Sequence, residues 1–210
     1  IWTFGGMIGY HGINDQGIAQ FANDIGGGPV PRFGFPHYPL KRLMLERTRV
    51  SELVTLVQST PVWISGNYVV SDKEDHILDL EATPEHVEIV TDQGRGFLAH
   101  ANHFLSARYA TGDNFRQSAI DSFMRQYRME KLLRSKFGQL DLQMLKDQMR
   151  TSGGSPTGIC RKARSTDLSQ GWETAGITVA SIIAEPTKGQ RHIAPGNHPE
   201  SRFTQYSFTG

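Results

Sequence analysis

The chain has 210 residues, 38% hydrophobic and 20% charged, with a formal net charge of +1 and a single cysteine. That size and balance predict one domain over 1–210 with a full core, since a chain of this length buries roughly 70% of its unfolded surface. Acids are dispersed among the bases, as at Glu130 before Lys131 and Lys136, which argues against a nucleic-acid partner; no apolar run approaches the roughly 20 residues of a membrane span; and one cysteine excludes an internal disulfide, which suits a reducing, cytoplasmic setting.

Trp2, Phe4, Met7 and Ile8 already have sheet-like density, so the chain opens in mid-strand and upstream sequence is expected. Met7 to Ile13 and Ile18 to Asn23 read as strands, joined through the polar turn Asn14, Asp15, Gln16 and Gly17. The breakers Gly26, Gly27, Gly28, Pro29, Pro31 and Pro36 make an irregular loop, suited to a mobile flap over a site. Leu40 to Arg47 and Val50 to Gln58 have helical period, with Val50, Leu53, Val54 and Val57 on one face, Ser51 placed to cap and Pro61 as the stop. Val62 to Val70, His76 to Glu81, His86 to Val90 and Phe97 to Ala99 then predict a four-stranded antiparallel meander.

Asn114 to Phe137 returns to helical period, with Ile120, Phe123, Met124 and Tyr127 as the buried stripe, and Leu140 to Met149 gives a shorter helix beyond Gly138. After the loop of Ser152, Gly153, Gly154, Ser155 and Pro156 come the strands Ile177 to Ala184, Arg191 to Ala194 and Phe203 to Phe208, the first two turned by Lys188 to Gln190. The order β, α, β, α, β with antiparallel neighbours predicts a layered α+β fold with helices outside.

The densest chemistry lies at His100, Ala101, Asn102, His103 and Phe104, delivered by the short apolar strand before it. In extended chain His100 and Asn102 share one face while His103 points with Ala101. Asn102 then either ends the strand and caps a turn, or aims an amide N–H at a site. Cys160, with Ile159 before it, reads as a packing cysteine rather than a nucleophile paired with a histidine. No metal site is expected, because His100 and His103 face opposite ways and no third ligand has a recognisable spacing. Asp79 and Glu81 alternate on one strand as a solvated face or an internal ion pair. Gly26 to Gly28 lacks the Lys-Ser or Lys-Thr of a phosphate loop.

Several of these segments together resemble one family. Gly6-Met7-Ile8-Gly9, Gly12-Ile13-Asn14 and Gly17-Ile18 resemble the opening hairpin of the autoproteolytic acyltransferases typified by acyl-coenzyme A:6-aminopenicillanic acid acyltransferase, which are cysteine N-terminal nucleophile hydrolases. His100 to Leu105 resembles that family's His-Thr-Asn-His motif, with Ala101 in place of Thr. Ser122, Arg125, Arg128, Leu132 and Leu133 are similar to its Ser-x-x-Arg-x-x-Arg-x-x-x-Leu-Leu helix. Ile159-Cys160-Arg161 is similar to its Ile-Cys-Arg element, and Gly196, Asn197, Pro199 and Glu200 to its Gly-x-Pro-x-Glu stretch.

The resemblance implies a four-layer αββα sandwich of two antiparallel sheets, lacking here the N-terminal active-site strands. It implies an acyltransferase or amidohydrolase working through a cysteine acyl-enzyme, with the nucleophile upstream of Ile1 and freed by self-cleavage. Asn102 would contribute the oxyanion hole, with Asn23 and His100 as further catalytic residues and His103 and Phe104 as substrate-binding. Neither metal nor cofactor is implied. The partners implied are a small-molecule acyl donor and acceptor, the pro-segment or small chain of the precursor, and a second copy in a homo-oligomer, with neither nucleic acid nor membrane. Loss of the nucleophile by divergence would instead leave a non-catalytic binding or scaffold domain on the same fold.

Overall fold

Asn14 closes the first hairpin with both its main chain and its side chain. Its backbone N donates to Ile18 O at 2.9 Å and its Oδ1 accepts from Ile18 N at 2.8 Å, while Gly17 takes the left-handed position at φ 84°. The structure is a computed structural model describing residues 1–110, 120–151, 158–161, 177–196 and 201–208. The chain divides into two compact units, one of Ile1–Ala119, Ala184–Gln190 and Phe208–Gly210, the other of Ile120–Ile183 and Arg191–Ser207. No helix among the described residues is long and apolar enough to cross a membrane.

In the first unit, β1 (Gly12–Ile13), β2 (Ala19–Asp24), β3 (Gly66–Ser71), β4 (Ile77–Ala82) and β5 (Val87–Thr91) form an antiparallel sheet in chain order. The strand expected from Met7 is shorter than predicted. Before Gly12 only Trp2 and His11 bridge, and the intervening chain turns at Gly6, at φ 84°. The strand expected over 97–99 does not form at all. Gln93, Gly94 and Gly96 all have positive φ, and the Asp92 carboxylate takes the N–H groups of Gly94 and Gly96, so the chain after β5 winds away from the ladder.

Two helices, α1 (His37–Met44) and α2 (Val50–Ser59), cover one face of this sheet. Pro39 is tolerated in the first turn of α1, where a backbone N–H would be unpaired in any case. At α2 the expected cap Ser51 lies inside the helix. The start is braced instead by Glu52, whose carboxylate accepts from Thr48 N and Oγ1 at 3.0 and 3.1 Å. Leu40, Met44, Leu53 and Val57 from the helices meet Ala22, Tyr68, Val70 and Leu80 from the sheet.

The loop expected as a flap is laced to the chain beyond α2. Arg32 N donates to Trp63 O and Phe35 N to Pro61 O, at 3.0 and 2.7 Å, and Phe35 bridges Val62, which leaves β3 to begin at Gly66.

The register decides what the other face carries. Ala22, Tyr68 and Leu80 form one cross-strand row toward the helices, so the next row, Asn23, Asn67 and Glu81, points the opposite way. The short helix α3 (Ala107–Ala110) follows this region.

The second unit contains α4 (Ile120–Ser135) and α5 (Leu142–Arg150), the latter capped by Asp141 Oδ1 accepting from Met144 N at 2.7 Å. The stripe predicted for α4 is rotated. Ile120 and Tyr127 are 66% and 60% exposed, whereas Ser122 is buried. The inward face holds charge: Asp121 lies 3.5 Å from Arg125 and 3.6 Å from Arg161. A second sheet, antiparallel in the order β6 (Ala180–Glu185), β7 (Gln190–Pro195), β8 (Thr204–Ser207), has its first turn at Pro186–Lys188 and Gly189, as expected. The expectations for 114–119, for 152–156 and for Asn197, Pro199 and Glu200 lie outside the described residues.

Candidate active site

Asn23 and Asn102 reach across two crossing segments of chain in the first unit. Asn102 Nδ2 donates to Asp24 O at 2.9 Å, Asn23 Nδ2 donates to His100 O at 3.5 Å, and Gly26 N returns a bond to Asn102 O at 3.2 Å. The end of β2 and the 100–106 segment are thereby fastened to each other by the two carboxamides. Both residues are only partly buried.

Beneath them runs a buried polar chain. Asn67 Oδ1 accepts from Asn23 N at 3.0 Å, and Asn67 Nδ2 donates to Asp79 Oδ1 at 2.9 Å. Asp79 Oδ2 stands 3.4 Å from His100 Nε2, and Glu81 Oε1 stands 2.8 Å from the same nitrogen. Glu81 also accepts from Leu105 N at 2.6 Å and Ser106 N at 3.0 Å. The pair read as a solvated face or an internal ion pair is therefore the second of these, with His100 as the partner.

Burial shifts the charges here in different directions. It pushes Asp79 up to about 6, although His100 and Asn67 pull the other way. It also raises Glu81, but the hydrogen bonds from His100, Leu105 and Ser106 outweigh it and hold that carboxyl below the usual range. Burial pushes the His100 imidazolium down, and the Glu81 hydrogen bond with the Asp79 charge more than reverses this, leaving its pKa raised.

Two expectations change. His100 is not delivered by a strand, and its ring stacks with that of His103 at 6.4 Å rather than facing away from it. His103 and Phe104, expected to bind substrate, are both buried, at 3% and 0% exposure. Phe104 packs on Tyr109 with ring centroids 4.9 Å apart, under Gly28, where a Cβ would come within 2.9 Å of its ring.

On the helix-covered side of the sheet, α1 carries Lys41, 5% exposed, with Nζ 4.4 Å from the Tyr10 ring centroid and 5.2 Å from that of Tyr38. Burial pushes Lys41 down to about 8 against the opposing charge of Asp24, and burial with the Lys41 charge pushes His11 down to about 3.

Two groups of described residues bring three ligand-type atoms within 4.8 Å of one another: Asp72, Glu74 and His76, and Asp79, Glu81 and His100. In each group one carboxylate is already engaged in hydrogen bonds, Asp72 with the backbone of Glu74 and His76 and with the His76 ring, and Glu81 with three N–H groups.

The model of the family acyl-coenzyme A:6-aminopenicillanic acid acyl-transferase matches residues 1–194. The chain belongs to that family. No curated protein matches the sequence. Among solved structures, two of conjugated bile acid hydrolase from Clostridium perfringens, each a variant, superpose with a TM-score of 0.55 at 10% identity, covering 95% of this chain and 77% of that one. That likeness shows the fold, which is the N-terminal nucleophile hydrolase fold with its antiparallel sheets. Membership of the acyltransferase family makes this an enzyme of the acyltransferase or hydrolase type.

Family motifs in the second unit are structural in character. Ser122 is buried, burial lowers the Arg125 guanidinium against the Asp121 charge, and Cys160 is 4% exposed with its N donating to Thr151 O at 3.2 Å. Sequence reasoning missed Asn67 and left Asp79 and Glu81 unassigned. Two acids flanking an apolar residue in a strand otherwise rich in apolar residues were the available signal.

Proposed function

We propose that the chain forms the body of a cysteine N-terminal nucleophile enzyme that cleaves an amide or thioester and passes the acyl group to water or an amine. The nucleophile is a cysteine from sequence preceding Ile1, exposed by self-cleavage of a precursor. Its thiolate attacks the carbonyl while its own α-amino group, with a reference pKa of about 7.7 to 8.0, takes and returns the proton. The carbonyl electrons move onto oxygen, and the carboxamides of Asn102 and Asn23 donate to that oxyanion. Collapse expels the amine or thiol and leaves a thioester, which the acceptor then opens. The expected ligands are a small acyl donor and acceptor, coenzyme A entering only as a donor.

The observation that carries this reading is the fastening of Asn23 and Asn102 across the same two segments, at 3.5 and 2.9 Å. Donors held in place before the substrate arrives need no reorganisation when charge develops, which is where such groups act most strongly. The burial of Cys160 argues against it as the attacking thiol.

Asn102→Ala in the complete protein tests this. Turnover is expected to fall roughly 10²–10³-fold with KM little changed, the usual result of deleting one oxyanion donor. Stability is expected to fall by only about 0.5–1.5 kcal/mol for the lost bond to Asp24 O. Unprocessed precursor must be looked for on a gel, since self-cleavage uses the same donors. A processed variant with normal turnover overturns the assignment and favours a turn-forming Asn on a binding domain.

A further inference from the structure

The buried group of Asp79, Glu81 and His100 touches no reacting atom, yet it lies beneath both carboxamides. All three side chains have zero solvent exposure. Each nitrogen of the His100 ring faces an acceptor: Nδ1 faces Ala101 O at 2.9 Å, and Nε2 faces Glu81 Oε1 at 2.8 Å. A neutral imidazole carries one N–H, so satisfying two acceptors requires the doubly protonated ring. That cation is matched by Glu81, and Glu81 in turn accepts from the backbone of Leu105 and Ser106. One carboxylate therefore grips the 100–106 segment at both ends, with Asn102 between the two grips. Asp79 acts similarly on the neighbouring strand, holding Asn67, whose Oδ1 receives the backbone N–H of Asn23.

We propose that Glu81 is the positioning residue of the oxyanion donor, fixing Asn102 through the His100 imidazolium and through the N–H groups of Leu105 and Ser106. This rests on reading Asn102 as the donor. Donors act over tenths of an ångström, and a displacement of about 1 Å costs on the order of 10²-fold in rate. Loosening the segment therefore lowers turnover without removing any contact to the bound substrate.

Glu81→Gln separates charge from shape. The amide has one acceptor oxygen and an NH₂ group where the carboxylate had two acceptor oxygens, so it cannot serve His100, Leu105 and Ser106 together. In the complete protein kcat is expected to fall about 10–100-fold with KM within about threefold of wild type. Nitrogen-15 NMR of the variant is expected to show His100 with one protonated ring nitrogen, and hydrogen exchange at Leu105 and Ser106 is expected to be faster. Glu81→Asp, which keeps the charge, is expected to restore the doubly protonated ring and part of the rate.

The same NMR spectrum of the wild-type protein stands apart from any folding defect in the variants. A singly protonated His100 at pH 7 overturns the proposal. So does a folded Glu81→Gln variant of wild-type kcat in a protein whose Asn102→Ala variant is slow. Normal turnover in Asn102→Ala is a different failure, since it removes the donor assignment itself.

Discussion

Lys41 is buried in a way that must cost stability, and its pH dependence gives the size of that cost. Folding takes the residue to 5% exposure, with the rings of Tyr10 and Tyr38 against the ammonium and the Asp24 charge only partly compensating its burial. Its pKa falls from 10.5 to about 8, chiefly by desolvation. At roughly 1.4 kcal/mol per tenfold, the protonated form is penalised by about 3 kcal/mol in the native state. The ring faces offset about 1 kcal/mol of this. Below pH 8 both states carry the proton and the full penalty applies. Between about 8 and 10.5 the unfolded chain binds more protons than the native one, so stability rises with pH.

Tyr10 and Tyr68, both raised chiefly by burial, work in the opposite direction above pH 10, so the useful window ends near pH 9.5. Urea unfolding of wild type and Lys41→Met from pH 7 to 9.5 isolates the lysine. The variant is expected to be more stable at pH 7, and its advantage to shrink by about 1–2 kcal/mol across the window. An advantage that does not change with pH would mean that the ammonium is not desolvated, and the reasoning fails.

Gly28→Ala places a Cβ 2.2 Å from Ser65 Oγ and 2.9 Å from the Phe104 ring, so a loss of about 1–3 kcal/mol is expected in thermal unfolding; an unchanged melting temperature would contradict the close packing of this loop. Cys160 is expected to resist iodoacetamide in the native state and to react once unfolded, and Cys160→Ala is expected to keep acyl transfer, as judged by peptide mapping and turnover.

How far the sequence reveals this structure depends on whether a signal is local. The strands from Ala19 to Thr91 are legible because apolar and polar residues alternate between turn residues, and Asn14 and Gly17 announce their hairpin. Phe97 to Ala99 misleads for the same reason: an apolar triplet makes a strand only if a partner is in reach, and the positive-φ turn before it takes the chain elsewhere. Helix α4 is found with the wrong face inward, because the ion group of Asp121, Arg125 and Arg161 orients it, and Arg161 is remote in sequence. Asp79 and Glu81 show the limit most plainly. Alternating acids look alike on a wet face and on a buried one, and only His100, some twenty residues on, decides between them. Asn23 and Asn102 are legible through family resemblance, whereas the crossing of their segments is a tertiary fact.

The central claim is a cysteine acyl-enzyme whose nucleophile is neither Cys160 nor any other residue of this chain. Its most direct test is the intact mass and N-terminal sequence of the complete native protein, followed by peptide mapping after a rapid quench during turnover of an amide or thioester substrate. The expected result is a mature subunit that begins with Cys ahead of Ile1 and carries the acyl group on that residue. Acyl group on Cys160, or steady turnover with no covalent adduct at any time, would contradict it.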